Sequence, residues 1–156
     1  MARKDFDLIT EWVEPDSKIL DLGCGDGSLL RLLDKQRNIS GYGVDTSIDK
    51  TIKSLDNKIN IINADINDHM NYFKDKSFDY VILAQSLQVV DNPVSLIKEM
   101  LRIGNEAIIS FPNMGYWKSR LYLFFKGEMP VTSQLPFSWH STPNIHLCTI
   151  RDFKKM

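Results

Sequence analysis

Lys18-Ile19-Leu20-Asp21-Leu22-Gly23-Cys24-Gly25-Asp26-Gly27 is the stretch on which the fold turns. It begins as a short apolar run and ends with three glycines in five residues. Behind it, roughly Asp26 to Gln36, Leu29, Leu30, Leu32 and Leu33 recur at helical spacing. A strand that enters a helix through such a bend opens an α/β unit, and the pattern then repeats. Gly41 to Asp45 reads as a second strand, and Ser47 to Leu55 as a short helix with Ile48, Ile52 and Leu55 on one side. Lys58 to Asn63 reads as a third strand, followed by a helix over Ile66 to Phe73 that buries Ile66, Met70 and Phe73. Phe78 to Ala84 is almost continuously apolar, as a strand covered on both faces should be. Pro93 to Arg102 reads as a helix, with proline in its first turn and Gly104 just past its end. Glu106 to Phe111 is a fifth strand.

Alternation of this kind implies a Rossmann-like α/β fold, mainly parallel, with at least five strands and helices on both faces. After Pro112 it stops. Asn113 is placed to cap a helix carrying Met114, Trp117, Leu121, Phe124 and Phe125, and Met129 to Pro143 reads mostly as loop. Trp117 and Phe124 read as core or interface packing. Thr149-Ile150-Arg151-Asp152-Phe153 carries a capping-box signature. The expectation is one domain over residues 1–156, shortened at its C-terminus, with a final helix and further strands missing.

Composition narrows the function. Of 156 residues, 43% are hydrophobic, enough for a sizeable core, and 19 Lys+Arg nearly balance 20 Asp+Glu. That balance offers no basic footprint for nucleic acid. No apolar run approaches the ~20 residues that span a bilayer, and no signal region follows the N-terminus. Cys24 and Cys148 are the two cysteines, with no C-x-x-C spacing. A cytoplasmic protein with no nucleic-acid or membrane partner is expected. His69, His140 and His146 are scattered, and neither cysteine stands at ligand spacing to them, so no metal is signalled.

The bend selects its ligand. A dinucleotide fingerprint, G-x-G-x-x-G, needs glycine at position 28, where this chain has Ser28. A pyrophosphate also seeks free N–H groups without nearby anions, and here Asp21 and Asp26 flank the glycines. These features disfavour a nicotinamide-dependent dehydrogenase. They suit a phosphate-free ligand carrying an ammonium and a sulfonium, which is S-adenosylmethionine, with S-adenosylhomocysteine as product. Asp21, Gly23, Cys24, Gly25 and Gly27 are the loop candidates, with Cys24 read as a small residue that fits rather than a nucleophile. Asp45, with Thr46 beside it, ends the second strand, where a carboxylate accepts from a ribose diol or else caps the next helix. Asp65 and Ile66 follow the third strand, suited to an adenine amino group and ring, with capping again the alternative. Gln85 ends the fourth strand and faces the methionine portion, or simply makes a turn with Ser86. Acceptor-side candidates come from beyond the fifth strand: Asn113, Tyr116, Trp117 and His146, the last read as a structural hydrogen-bonding histidine or a general base. No residue takes a catalytic label.

These residues resemble motifs of class I S-adenosylmethionine-dependent methyltransferases. Three longer stretches are closer to one family. Ser77 to Gln88, Ile109 to Trp117, and Met129 to Thr132 together with Thr142 to Phe153 are similar to the methionine biosynthesis protein MetW. The resemblance runs nearly end to end, and members of that family usually continue past this chain's last residue. It implies a methyltransferase-like fold, a link to methionine biosynthesis, and homoserine O-acyltransferase as partner. Two functions are then open: methyl transfer to an acceptor that the sequence does not name, or sensing of S-adenosylmethionine by a non-catalytic regulator of the acyltransferase.

Overall fold

The glycine bend and its flanking runs lie at the centre of the molecule. The computed structural model describes residues 3–47, 60–68, 70–132 and 135–156. Lys4–Trp12 forms α1, Lys18–Leu22 forms β1 and Ser28–Arg37 forms α2. Strands β2 (Ser40–Asp45), β3 (Asn60–Asn63), β4 (Phe78–Ala84) and β5 (Gly104–Ser110) follow. Helix α3 (Pro93–Ile103) lies between β4 and β5, and α4 (Trp117–Lys126) and α5 (Ile150–Phe153) come after β5. The expected helix over Ser47 to Leu55, the start of the expected third strand and His69 lie outside the described residues.

All four strand pairings are parallel, and the order is β3-β2-β1-β4-β5. Alternate residues of each central strand feed two apolar layers. Leu20, Leu22, Val81 and Leu83 pack with Leu96, Met100 and Ile103 of α3. Ile19, Tyr80 and Ile82 pack with Ile9 of α1 and Leu29, Leu30 and Leu33 of α2. The order in which strands are added reverses between β1 and β4, and in such sheets ligands sit beyond the carboxyl ends at that point.

Three expectations change. Helix α1 was not anticipated; it docks Ile9 and, just beyond its end, Val13 into the second layer. Residues 66–68 and 70–73 form turns and irregular backbone instead of a helix, although Met70 is buried and Ile66 and Phe73 pack against the core as expected. Their polar side chains explain this: Asp65 Oδ1 accepts from Asn67 N at 2.8 Å, and Asn67 Oδ1 accepts from Asp91 N at 2.9 Å. Asn and Asp so engaged draw the backbone away from helix. Arg102 completes the diversion by donating to Met70 O and Phe73 O at 3.2 and 3.0 Å.

The third change concerns α4. Asn113 does not cap it. Its Oδ1 accepts from Gly115 N at 2.9 Å, and the helix starts from Tyr116 without a side-chain cap. No residue of α4 is buried; Trp117 is 58% exposed, Phe124 80% and Phe125 75%. Trp117 and Phe124 therefore take no part in the core. The capping box at α5 forms as the sequence suggests, Thr149 Oγ1 accepting from Asp152 N while Asp152 accepts from Thr149 N.

Candidate functional site

Gly23, Gly25 and Gly27 all adopt left-handed backbone, with φ of 70°, 59° and 74°. Side chains disfavour that region by about 1–2 kcal/mol per residue, so the G-x-G-x-G spacing is a conformational demand. A Cβ on Gly23 would also lie 2.6 Å from Ser86 Oγ, whereas one on Gly25 would meet nothing within 4 Å. Space opens beside the middle glycine. Cys24 is buried, and its sulfur lies where a side chain on Gly43 would stand.

The amino end of α2 is already supplied with an anion. Asp26 Oδ1 accepts from Ser28 N at 3.0 Å, and Arg31 lies 3.4 Å from Asp26 Oδ2. A diphosphate placed there would meet that carboxylate.

Asp45 joins the glycine bend to the tip of β2. Its Oδ2 accepts from Gly25 N at 2.8 Å and its Oδ1 from Ser47 N at 2.9 Å. Asp45 thus ties the tip of β2 to the glycine loop, while the helix foreseen for it to cap lies outside the described residues. A cleft of about 350 Å³ lies at these strand tips, lined by Gly23, Asp45, Thr46, Asp65, Ile66 and Ser86 among others. Three successive strands therefore bring their terminal residues to one opening.

Asp21 stands below the bend. It is buried, and its Oδ1 has no hydrogen-bond partner among the described residues. Burial pushes its carboxyl up to about 8, against the pull of the Arg3 guanidinium, with Asp45 adding to the rise. An orphaned buried acceptor is costly and calls for an explanation. Gln85 at the tip of β4 is another marked position, holding φ at 60° without being glycine. Such backbone gathers at functional sites. Its N donates to Ser110 O at 2.9 Å, and its carbonyl accepts from Gln88 Nε2 at 2.9 Å.

The acceptor-side candidates divide. Asn113 and Tyr116 line a wide cavity of about 630 Å³ with Tyr122 and Thr132. Trp117 points to solvent. His146 borders a separate, mostly apolar cavity of about 190 Å³ with Leu87, Phe111, Cys148 and Phe153, its Nε2 lying 3.4 Å from Asp91 O. The two cavities meet at Phe111 and Pro112, next to the end of β5. Residues not anticipated at the site are Arg3, Gln88 and Ser110. Gln88 is buried with Oε1 unpartnered among the described residues, and its carbonyl accepts from Ile145 N and His146 N at 2.8 and 3.0 Å. Only its place two residues after the β4 turn could have drawn attention to it.

Comparison with known proteins gives the chain a family. Residues 3–156 match the family described as methionine biosynthesis protein MetW. The chain belongs to the MetW family. It is 37% identical over 161 residues to the bifunctional methionine biosynthesis protein MetXA/MetW of Rhodopirellula baltica, covering 97% of this chain and 26% of that protein. It is 31% identical over 139 residues to a demethylmenaquinone methyltransferase of Staphylococcus haemolyticus, covering 79% of this chain and 56% of the relative. The chain thus spans roughly a quarter and a little over half of these two relatives. Among solved structures, a S-adenosylmethionine-dependent methyltransferase of Thermotoga maritima superposes with a TM-score of 0.68 at 17% identity, over 96% of this chain and 65% of that one. That likeness shows a methyltransferase-type fold for this chain.

Proposed function

We propose that the cleft at the tips of β1, β2 and β3 binds S-adenosylmethionine and that the domain directs methyl transfer to an acceptor entering beside β5. The observation that carries the reading is the buried, partnerless Oδ1 of Asp21 beneath three left-handed glycines. A cationic ligand satisfies that acceptor; a diphosphate would aggravate it. Asp21 faces the ammonium, Asp45 the ribose diol, and Asp65 with Ile66 the adenine. Gln85, Cys24 and Thr46 complete the wall. Bound S-adenosylmethionine would supply an activated methyl group. The chain's part is proximity, alignment and exclusion of water. Asn113 and Tyr116 are the polar groups nearest the proposed acceptor path, with His146 across Phe111.

Calorimetry tests the reading. S-adenosylmethionine and S-adenosylhomocysteine are expected to give binding heat and NAD none; the reverse result overturns the assignment. Asp45→Ala is expected to weaken binding by about 1–3 kcal/mol, as for hydrogen bonds to a charged group. It should also lower the melting temperature, because Gly25 N and Ser47 N lose their acceptor. A lower melting temperature with unchanged affinity would reduce Asp45 to a structural clamp.

A second reading has its own support. The Rhodopirellula relative carries MetXA and MetW in one chain, and α4 presents an uncovered aromatic surface. On this reading the domain associates with homoserine O-acyltransferase and regulates it according to cofactor occupancy, which requires different affinities in the two partner states. Co-purification with that acyltransferase, with and without S-adenosylmethionine, is the test. Absence of a complex in both conditions overturns it.

A further inference from the structure

The methionine half of the proposed site falls on the β4 side of the glycine bend, where the first turn of α1 also reaches. Helix α1 begins beside the ends of β4 and β5. Asp5, in its first turn, accepts from Ser110 Oγ at 3.2 Å. Ser110 Oγ in turn accepts from Gln85 N at 3.2 Å and Gln85 Nε2 at 3.5 Å. One chain of contacts thus runs from the N-terminal helix to the strained residue at the β4 tip.

Asp5 also holds Arg3 by two prongs, Nη2 to Oδ2 at 2.6 Å and Nε to Oδ1 at 3.2 Å. The guanidinium lies 4.2 Å from the centre of the Phe6 ring. With Nε and Nη2 turned to Asp5, the Nη1 edge of the five-donor fork faces elsewhere. Arg3 is close enough for its charge to act on buried Asp21. A cation held at the ends of β4 and β5 and a partnerless buried carboxyl on the neighbouring strand β1 complement a group that bears an anion and a cation on neighbouring atoms. The amino-acid end of S-adenosylmethionine is such a group.

We infer that Arg3 donates to the α-carboxylate of the bound ligand, opposite Asp21, and that Asp5 and Ser110 hold Arg3 in position. The inference rests on the cofactor reading above. Arg3 is a specificity-determining residue here, and Asp5 a positioning residue. The pairing distinguishes ligands that keep the carboxylate from those that have lost it.

The test compares S-adenosylmethionine with decarboxylated S-adenosylmethionine by calorimetry on the whole chain. Arg3→Ala is expected to weaken S-adenosylmethionine binding about 10- to 100-fold, the range for a charged hydrogen-bonded contact. The same variant is expected to bind the decarboxylated compound as the wild type does. Arg3→Lys should recover part of the loss, and Asp5→Asn should fall between wild type and Arg3→Ala for S-adenosylmethionine alone. Unchanged S-adenosylmethionine affinity in Arg3→Ala overturns the inference while leaving the cofactor reading standing. Equal losses for both compounds overturn it as well, by making Arg3 a structural residue. Wild-type chain that binds neither compound overturns the cofactor reading and this inference with it.

Discussion

At the scale of single residues, Asp21 carries the most consequence. Its carboxyl is raised to about 8 by burial, against about 3.9 in an unfolded chain. The folded state therefore holds a proton that the unfolded state releases, throughout the interval between those values. Stability contributed by this group is greatest below about pH 4 and falls as pH rises to about 8, with a slope of up to about 1.4 kcal/mol per pH unit. Urea denaturation at pH 5, 6.5 and 8 should show that decline. Asp21→Asn, which keeps the shape and removes the titration, should flatten it. A decline of equal slope in the variant would place its origin elsewhere. A cationic ligand lowers the carboxyl's proton affinity, so binding below pH 8 should release a proton in the wild type and none in Asp21→Asn. Calorimetry in buffers of different ionisation enthalpy reads that release.

At the scale of elements, the most legible parts are those fixed by local chemistry. The β1 bend could be read because Gly23, Gly25 and Gly27 answer a backbone demand that no other residue meets cheaply. β4 and α3 could be read from an almost continuous apolar run and from Pro93 in the first turn with Gly104 past the end; the cap from Asn92, whose Oδ1 accepts from Ser95 N at 3.1 Å, was not read. What escaped depends on distant partners. The apolar spacing of Ile66, Met70 and Phe73 is real, but Arg102 takes the carbonyls a helix would have used. Helix α1 gives a short signal, and its link to β5, Asp5 to Ser110, joins residues 105 positions apart in the chain. Arg102 provides a test at this scale. It also pairs with Glu99 and Asp75 at 2.7 and 2.6 Å. Arg102→Ala is expected to destabilise the fold by about 1–3 kcal/mol, because two carbonyls and two carboxylates lose their donor together. Arg102→Lys should recover little, since an ammonium cannot reproduce the planar fork. Urea denaturation checks both, and full rescue by lysine would show that charge alone holds the 70–73 turns.

At the scale of the whole molecule, the sheet divides the labour between its two halves. The β1–β2–β3 side opens a cleft lined by Gly23, Asp45 and Asp65, and the β4–β5 side leads to the two cavities that meet at Phe111 and Pro112. Beyond them stands α4, whose inner side lines the wide cavity through Tyr122 and Ser119 while Trp117, Phe124 and Phe125 face outward. Exposed aromatic clusters of this kind mark interaction sites, and Tyr, Trp and Phe are the side chains that dominate interface cores. On the regulatory reading, this surface meets the acyltransferase. A Phe124→Ser, Phe125→Ser double variant removes apolar area from solvent-facing positions, so its fold and cofactor affinity should match the wild type. Its co-purification with homoserine O-acyltransferase should fall by at least about tenfold, the loss of about 1.4 kcal/mol that truncating one hot spot exceeds. Retained co-purification would move the contact elsewhere, and loss of S-adenosylmethionine binding alongside it would show that α4 supports the pocket instead of a partner.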